Sequence, residues 1–139
     1  MARQFSDVSV GDSLGTKTVP VERATLVAYA NASLDQNPIH QDEAFAKQVG
    51  LPDVIAHGMW TMGAAGTLAA EWAGDAGRVV EYGTRFTSMV VVPADGSELS
   101  VTGVVKSLDE ARKRATVELT ATAGGSKVLG RCQAVVQLD

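Results

Sequence analysis

Gly58-Met59-Trp60-Thr61-Met62-Gly63-Ala64-Ala65-Gly66-Thr67-Leu68-Ala69-Ala70-Glu71-Trp72 is an apolar run whose small residues fall on nearly every side of a helical wheel. Met59, Met62, Leu68 and Trp72 are its large side chains. Two interior glycines, Gly63 and Gly66, each cost a helix roughly 1 kcal/mol relative to alanine. A helix carrying that cost needs close backbone approach, as when a curved sheet wraps it. Gly74-Asp75-Ala76-Gly77 closes the element. The run, Met59 to Ala70 at its most apolar, is too short to span a bilayer.

Downstream the pattern changes from helical to alternating. Arg78 to Val92 reads as one strand, with Val80, Tyr82, Phe86, Val90 and Val92 on one face. Val79, Met89 and Val91 make its other face partly apolar. Leu99, Val101 and Val105 alternate with polar residues. So do Ala115, Val117, Leu119 and Ala121, and then Val128, Cys132, Ala134, Val136 and Leu138. Asp95-Gly96, Asp109-Glu110 and Gly124-Gly125 punctuate these runs as hairpin loops. Alternation of this kind specifies an antiparallel sheet with one buried face. A four-strand meander around one apolar helix makes the fold class α+β.

Upstream, Leu14 to Val19 reads as a short strand that Pro20 ends while opening a helix. Leu26, Tyr29, Ala30 and Ser33 share one face of that helix. Asp42 is the expected N-cap of a second short helix through Val49, with Phe45 and Val49 on its buried side. Gly50 and Pro52 stop it. Between the helices lies Asp35-Gln36-Asn37-Pro38-Ile39-His40, a compact turn, since the proline ring pushes Asn37 away from helical angles. Both histidines of the chain, His40 and His57, lie between Ser33 and Met59.

With 139 residues, residues 1–139 are expected to form a single domain. A net charge of −4 and no basic cluster argue against nucleic acid as a partner. A single cysteine, Cys132, forms no internal disulfide, and the N-terminus lacks an apolar signal core, so a cytoplasmic setting is expected, with no membrane partner. His40, Asp42, Glu43 and His57 match no common zinc spacing, so neither metal nor other cofactor is expected.

The turn and its flanks resemble the MaoC-like hydratase/dehydratase family of hot-dog proteins. Tyr29, Ala32-Ser33, Asp35, Asn37, Pro38, Ile39, His40 and Ala46 fall on the places of the family's hydratase motif. Leu34 stands where that motif usually has glycine. Ala56-His57-Gly58-Met59, Tyr82 to Thr87, Val10-Gly11-Asp12 and Gly130-Arg131 are similar to other family features, so the resemblance spans the chain. Within the family the chain is similar to the catalytic beta subunit of the mycobacterial-type (3R)-hydroxyacyl-ACP dehydratase. The resemblance implies a hot-dog fold and a hydro-lyase interconverting (3R)-3-hydroxyacyl and trans-2-enoyl thioesters of CoA or acyl carrier protein. It implies Asp35 and His40 as the catalytic pair, jointly holding one water.

Histidine titrates near neutrality and suits either direction of proton transfer, while an aspartate beside it can orient water. Gly58, at the head of the apolar helix, offers a free N–H to a developing oxyanion, and Asn37 is the other expected substrate contact. His57 is expected to brace the loop. Two other functions fit the same fold: a hot-dog thioesterase, and a non-catalytic acyl-binding subunit of a heterodimeric dehydratase. The Asp/His pair favours the hydro-lyase. An edge strand left open by a sheet of this size, together with the resemblance, implies a homodimer or a heterodimer with a related subunit.

Overall fold

The computed structural model describes residues 2–139. Strand β1 (Ser13–Val21) leads through α1 (Arg23–Ser33) and a short helix α2 (Glu43–Gln48) to the central helix α3 (Gly58–Ala73). Strands β2 (Val79–Phe86), β3 (Ser97–Asp109), β4 (Arg114–Ala123), β5 (Ser126–Lys127) and β6 (Leu129–Gln137) follow. The sheet is antiparallel in the order β1-β3-β4-β6-β2, with β5 a short extension beside β4.

Alternation placed the core correctly in the last three long strands. Leu99, Val101, Val105, Ala115, Val117, Leu119, Ala121, Cys132, Ala134 and Val136 are all buried against α3, which contributes Ala65, Leu68, Ala69 and Trp72. Gly66 shows why the helix carries glycine. A Cβ there would lie 2.8 Å from the ring of Tyr82, whose hydroxyl donates to the Met62 carbonyl. Gly63 does not follow that logic: it faces open space.

Three expectations need correcting. Pro20 does not end β1; it sits inside it, opposite Glu98, because β1 is a sheet edge where a missing N–H is tolerated. The four strands do not form one meander. β2 lies at the far edge beside β6, so the Asp95-Gly96 turn joins strands that are not neighbours. Finally, Arg78–Val92 is not one strand. After Phe86 the Thr87 and Ser88 amides both turn to the Val128 carbonyl, and residues 90–92 pair with 54–56 instead. The period-2 pattern ran on because Val90 and Val92 are buried, but against a different partner.

The α2 region is a smaller correction. Asp42 caps α2 as expected, its carboxylate accepting from the Phe45 N–H at 3.0 Å, and Gly50 takes φ +96° beyond its end. The buried residue is Ala46, however, while Val49 is 54% exposed. Arg23 then ties the pieces together: its guanidinium reaches Glu43 at 3.0 Å, Asp53 at 2.7 Å and the Val92 carbonyl at 3.3 Å. One side chain thereby joins α1, α2 and the two paired segments, 54–56 and 90–92.

Candidate active site

The geometry begins with the end of α1. Leu34 occupies its C-cap at φ +67°, a left-handed conformation that glycine adopts without cost, and its side chain is 82% exposed. The chain then turns on its own side chains. The Asp35 carboxylate accepts from the Asn37 N–H at 3.2 Å, and the Asn37 carboxamide oxygen accepts from the Ile39 N–H at 3.1 Å. Pro38–His40 forms a single 3₁₀ turn that drops His40 into the interior, 7% exposed, while Asp35 stays at the surface.

His40 Nδ1 lies 2.6 Å from the Ile55 carbonyl. A carbonyl only accepts, so Nδ1 carries the proton and Nε2 keeps its lone pair. Burial holds the His40 pKa below its ordinary 6.5. The Ile55 hydrogen bond opposes that shift, the neighbouring His57 adds to it, and Asp35 opposes it again. The neutral ring is therefore the form present at pH 7, with Nε2 available as a base.

His57 caps the start of α3 with its backbone and is 2% exposed. Its ring stacks on His40 with centroids 3.7 Å apart and planes inclined by 22°, and Tyr29 flanks its other side at 4.8 Å. Asp35, His40 and His57 bring one ligand-type atom each to within 4.8 Å of one another. Asp42 and Glu43, grouped with the histidines by sequence, are engaged elsewhere, in the α2 cap and with Arg23.

At the head of α3 the first intrahelical bond runs from Thr61 N–H to the His57 carbonyl at 3.1 Å. The N–H groups of Gly58 and its next two residues have no such partner and carry the positive end of the helix dipole. Gly58 lies between two clefts. One, about 300 Å³, is lined by His40, Ala56, Gly58, Thr61, Phe86 and Val128 among others. The second, about 410 Å³, is lined by Tyr29, Ser33, Asp35, His57, Gly58, Met59 and Phe86. Phe86 borders both: its ring edge lies 3.1 Å from where a Gly58 Cβ would be, and the residue is 54% exposed.

The structure thus brings Asp35, His40 and Gly58 together, with His57 behind them. Asn37 lines neither cleft; it shapes the turn. The strand reading hid Phe86, Thr87, Ser88 and Val90, which wall the His40 cleft. Thr61 went unnoticed too. Its one signal is a polar residue, buried, one helical turn after Gly58. No described helix is long and apolar enough to cross a membrane.

Comparison with known proteins agrees with this fold. A solved structure described as a MaoC-like dehydratase superposes with a TM-score of 0.97 at 41% identity, covering 99% of this chain and 43% of that one. The (R)-specific enoyl-CoA hydratase of Rhodospirillum rubrum is 28% identical over 127 residues, 90% of this chain and 85% of that protein. A fatty acid synthase beta subunit of Cochliobolus carbonum is 41% identical over 66 residues, 46% of this chain; the match covers only 3% of that much longer protein. The antiparallel sheet wrapped around α3 is the hot-dog fold. Because the MaoC like domain matches residues 6–125, the chain belongs to the MaoC-like family.

Proposed function

We propose that this chain is a hydro-lyase that interconverts (3R)-3-hydroxyacyl and trans-2-enoyl thioesters. The observation that carries the reading is the free Nε2 of a neutral His40 beside the Asp35 carboxylate, at the head of a helix whose N-terminal amides are unpaired.

In the hydration direction a water sits between Asp35 and His40. His40 Nε2 takes one of its protons as the oxygen attacks C3 of the enoyl group, and Asp35 holds the remaining hydrogen. Electrons move onto the thioester carbonyl, whose oxygen gains negative charge. Gly58 N–H and the helix dipole stabilise that charge, and the absence of a side chain lets the carbonyl approach. Protonated His40 then delivers the proton to C2. One water supplies both OH and H, so they add to the same face. Dehydration is the same path reversed. Asn37 acts through Asp35, whose carboxylate it fixes, rather than on the substrate.

The carrier of the thioester is CoA or acyl carrier protein. The partner is a second hot-dog domain, either another copy of this chain or a related subunit, paired along β2. The two sheet edges differ: β1 is blunted by Pro20, whereas β2 is free of proline and ends at the exposed Phe86 beside the clefts. Native mass spectrometry should show a dimer; a fully active monomer at nanomolar concentration refutes the pairing.

The catalytic reading is tested by incubating the protein with crotonyl-CoA and longer trans-2-enoyl thioesters. Loss of enoyl absorbance with the thioester intact is expected. Release of free thiol without hydration would instead establish a thioesterase.

A further inference from the structure

His57 makes more contacts at the site than the bracing of a loop requires. Its Nε2 lies 3.0 Å from the main-chain carbonyl of Asp35. A carbonyl only accepts, so Nε2 carries the proton, and the ring is in the opposite tautomer from His40. Its face covers the face of His40 at 3.7 Å. Its backbone is the N-cap of α3, immediately before Gly58, and its carbonyl takes the first helical hydrogen bond. The remaining ring atom, Nδ1, is buried with no hydrogen-bond partner, an arrangement proteins seldom keep without a reason.

We propose that His57 is the positioning residue of the site, a single imidazole that sets Asp35, His40 and Gly58 relative to one another. Asp35 itself is exposed and opens the turn, its carboxylate held by the Asn37 N–H but its main chain with no other anchor to α3 than His57 among the bonds described. The Nε2–H bond to its own main chain is the tether from that turn to the core. His40 is held at one nitrogen by Ile55, and the stacked ring stops rotation about that bond. Neither contact reaches substrate, so His57 acts through the pair. Tyr29 and His40 lie against the ring and Nε2 is committed to Asp35, which leaves Nδ1 as the one ring nitrogen without a partner.

The pH behaviour of His40 gives a second handle. The titratable groups facing it are His57, from the head of α3, and Asp35, from the turn. The lining of its cleft adds no other. His57 lowers the His40 pKa and Asp35 raises it. Removing the imidazole of His57 therefore moves the acidic limb of the rate profile to higher pH, both by uncovering His40 and by removing the neighbouring ring.

Two substitutions separate the contacts. His57→Gln keeps an N–H near the Nε2 position but loses the stack. His57→Phe keeps a flat ring but loses the donor. The expected result is a kcat loss of between about tenfold and a hundredfold in His57→Phe, the scale of a misplaced group, with KM changed less than about threefold. His57→Gln should recover part of that loss and show the limb displaced upward. Unchanged kcat in the folded fraction of both variants overturns the proposal, as does a rise in KM alone. The rate arm rests on the hydro-lyase reading; a second arm does not. With only two histidines, a ¹⁵N-histidine correlation spectrum of the wild-type protein without substrate resolves both rings. At neutral pH His57 should read as the Nε2–H tautomer and His40 as Nδ1–H. A His57 carrying its proton on Nδ1 overturns the proposal even if hydratase activity is present, and even if neither variant folds.

Discussion

Along β4, Ala115, Val117, Leu119 and Ala121 are buried at every second position while the main chain bonds to main chain on both neighbours. From Asp35 to His57 main-chain bonds are joined by a series that runs from side chain to main chain: Asp35 to Asn37 N–H, Asn37 to Ile39 N–H, Asp42 to Phe45 N–H, His40 to Ile55 O and His57 to Asp35 O. In the first region a side chain has only to be apolar and of suitable volume. In the second, the identity of each side chain holds the backbone in place. Stability therefore resides in the sheet and chemistry in the turns, and substitutions should divide accordingly.

The largest effect is expected in the sheet. Leu99 is fully buried, and Leu99→Ala should cost about 2–5 kcal/mol of stability by the combined loss of transfer energy and opening of a cavity. Chemical denaturation measures it, and kcat of the folded fraction should be unchanged. Next are the turns. Asp35→Asn and His40→Gln should each lower kcat by at least ~10²-fold while the melting temperature stays close to wild type. The double variant should be little worse than either single one, as expected of two groups proposed to act on one water. Additive losses would break the contrast by making the pair two independent groups.

Gly58→Val tests the border between the regions. A Cβ there meets only the edge of the half-exposed Phe86 ring, which can swing outward, so the fold should tolerate it. The thioester cannot be accommodated as easily, and turnover should fall by more than the thermal stability does. Equal damage to both would return Gly58 to the helix as a structural residue.

The smallest effect is a pH displacement. Burial, reinforced by His57, favours neutral His40, and in the proposed mechanism that is the form that takes the proton from water. Rate should therefore rise with pH through a midpoint below 6.5. The same linkage gives stability that is full above the unfolded-state pKa of histidine and is lost as pH falls toward the folded one, since the unfolded chain then binds more protons. Asp35 raises the His40 pKa, so in Asp35→Asn the imidazole should titrate lower still, as followed by NMR.

The contrast also explains what the sequence revealed. Period-2 burial in β3, β4 and β6 is a local property, and it placed Leu99, Val117 and Ala134 correctly. The apolar run from Gly58 showed the helix for the same reason. Strand order is not local: nothing between Arg78 and Val92 says that Val79–Phe86 pairs with β6 while Val90 and Val92 turn to residues 54–56. Pro20 misled because a proline reads as a terminator until the strand is known to be an edge. In the site, the motif pointed to Asp35 and His40 and the head of the apolar helix to Gly58, yet the stack of His57 on His40 needed the fold, since the sixteen intervening residues carry no pattern that brings two rings together. Leu34 lies between these cases. Its place before Asp35, where the motif it resembles usually has glycine, matches the left-handed φ of +67° found there.

Asp35 and His40 are proposed to work through a single water. This is tested most directly by hydrating a trans-2-enoyl thioester in D₂O and determining the configuration at both new centres. The expected product is a (3R)-3-hydroxyacyl thioester whose C2 deuteron and C3 oxygen have entered from the same face. A (3S) product, or addition from opposite faces, would contradict it.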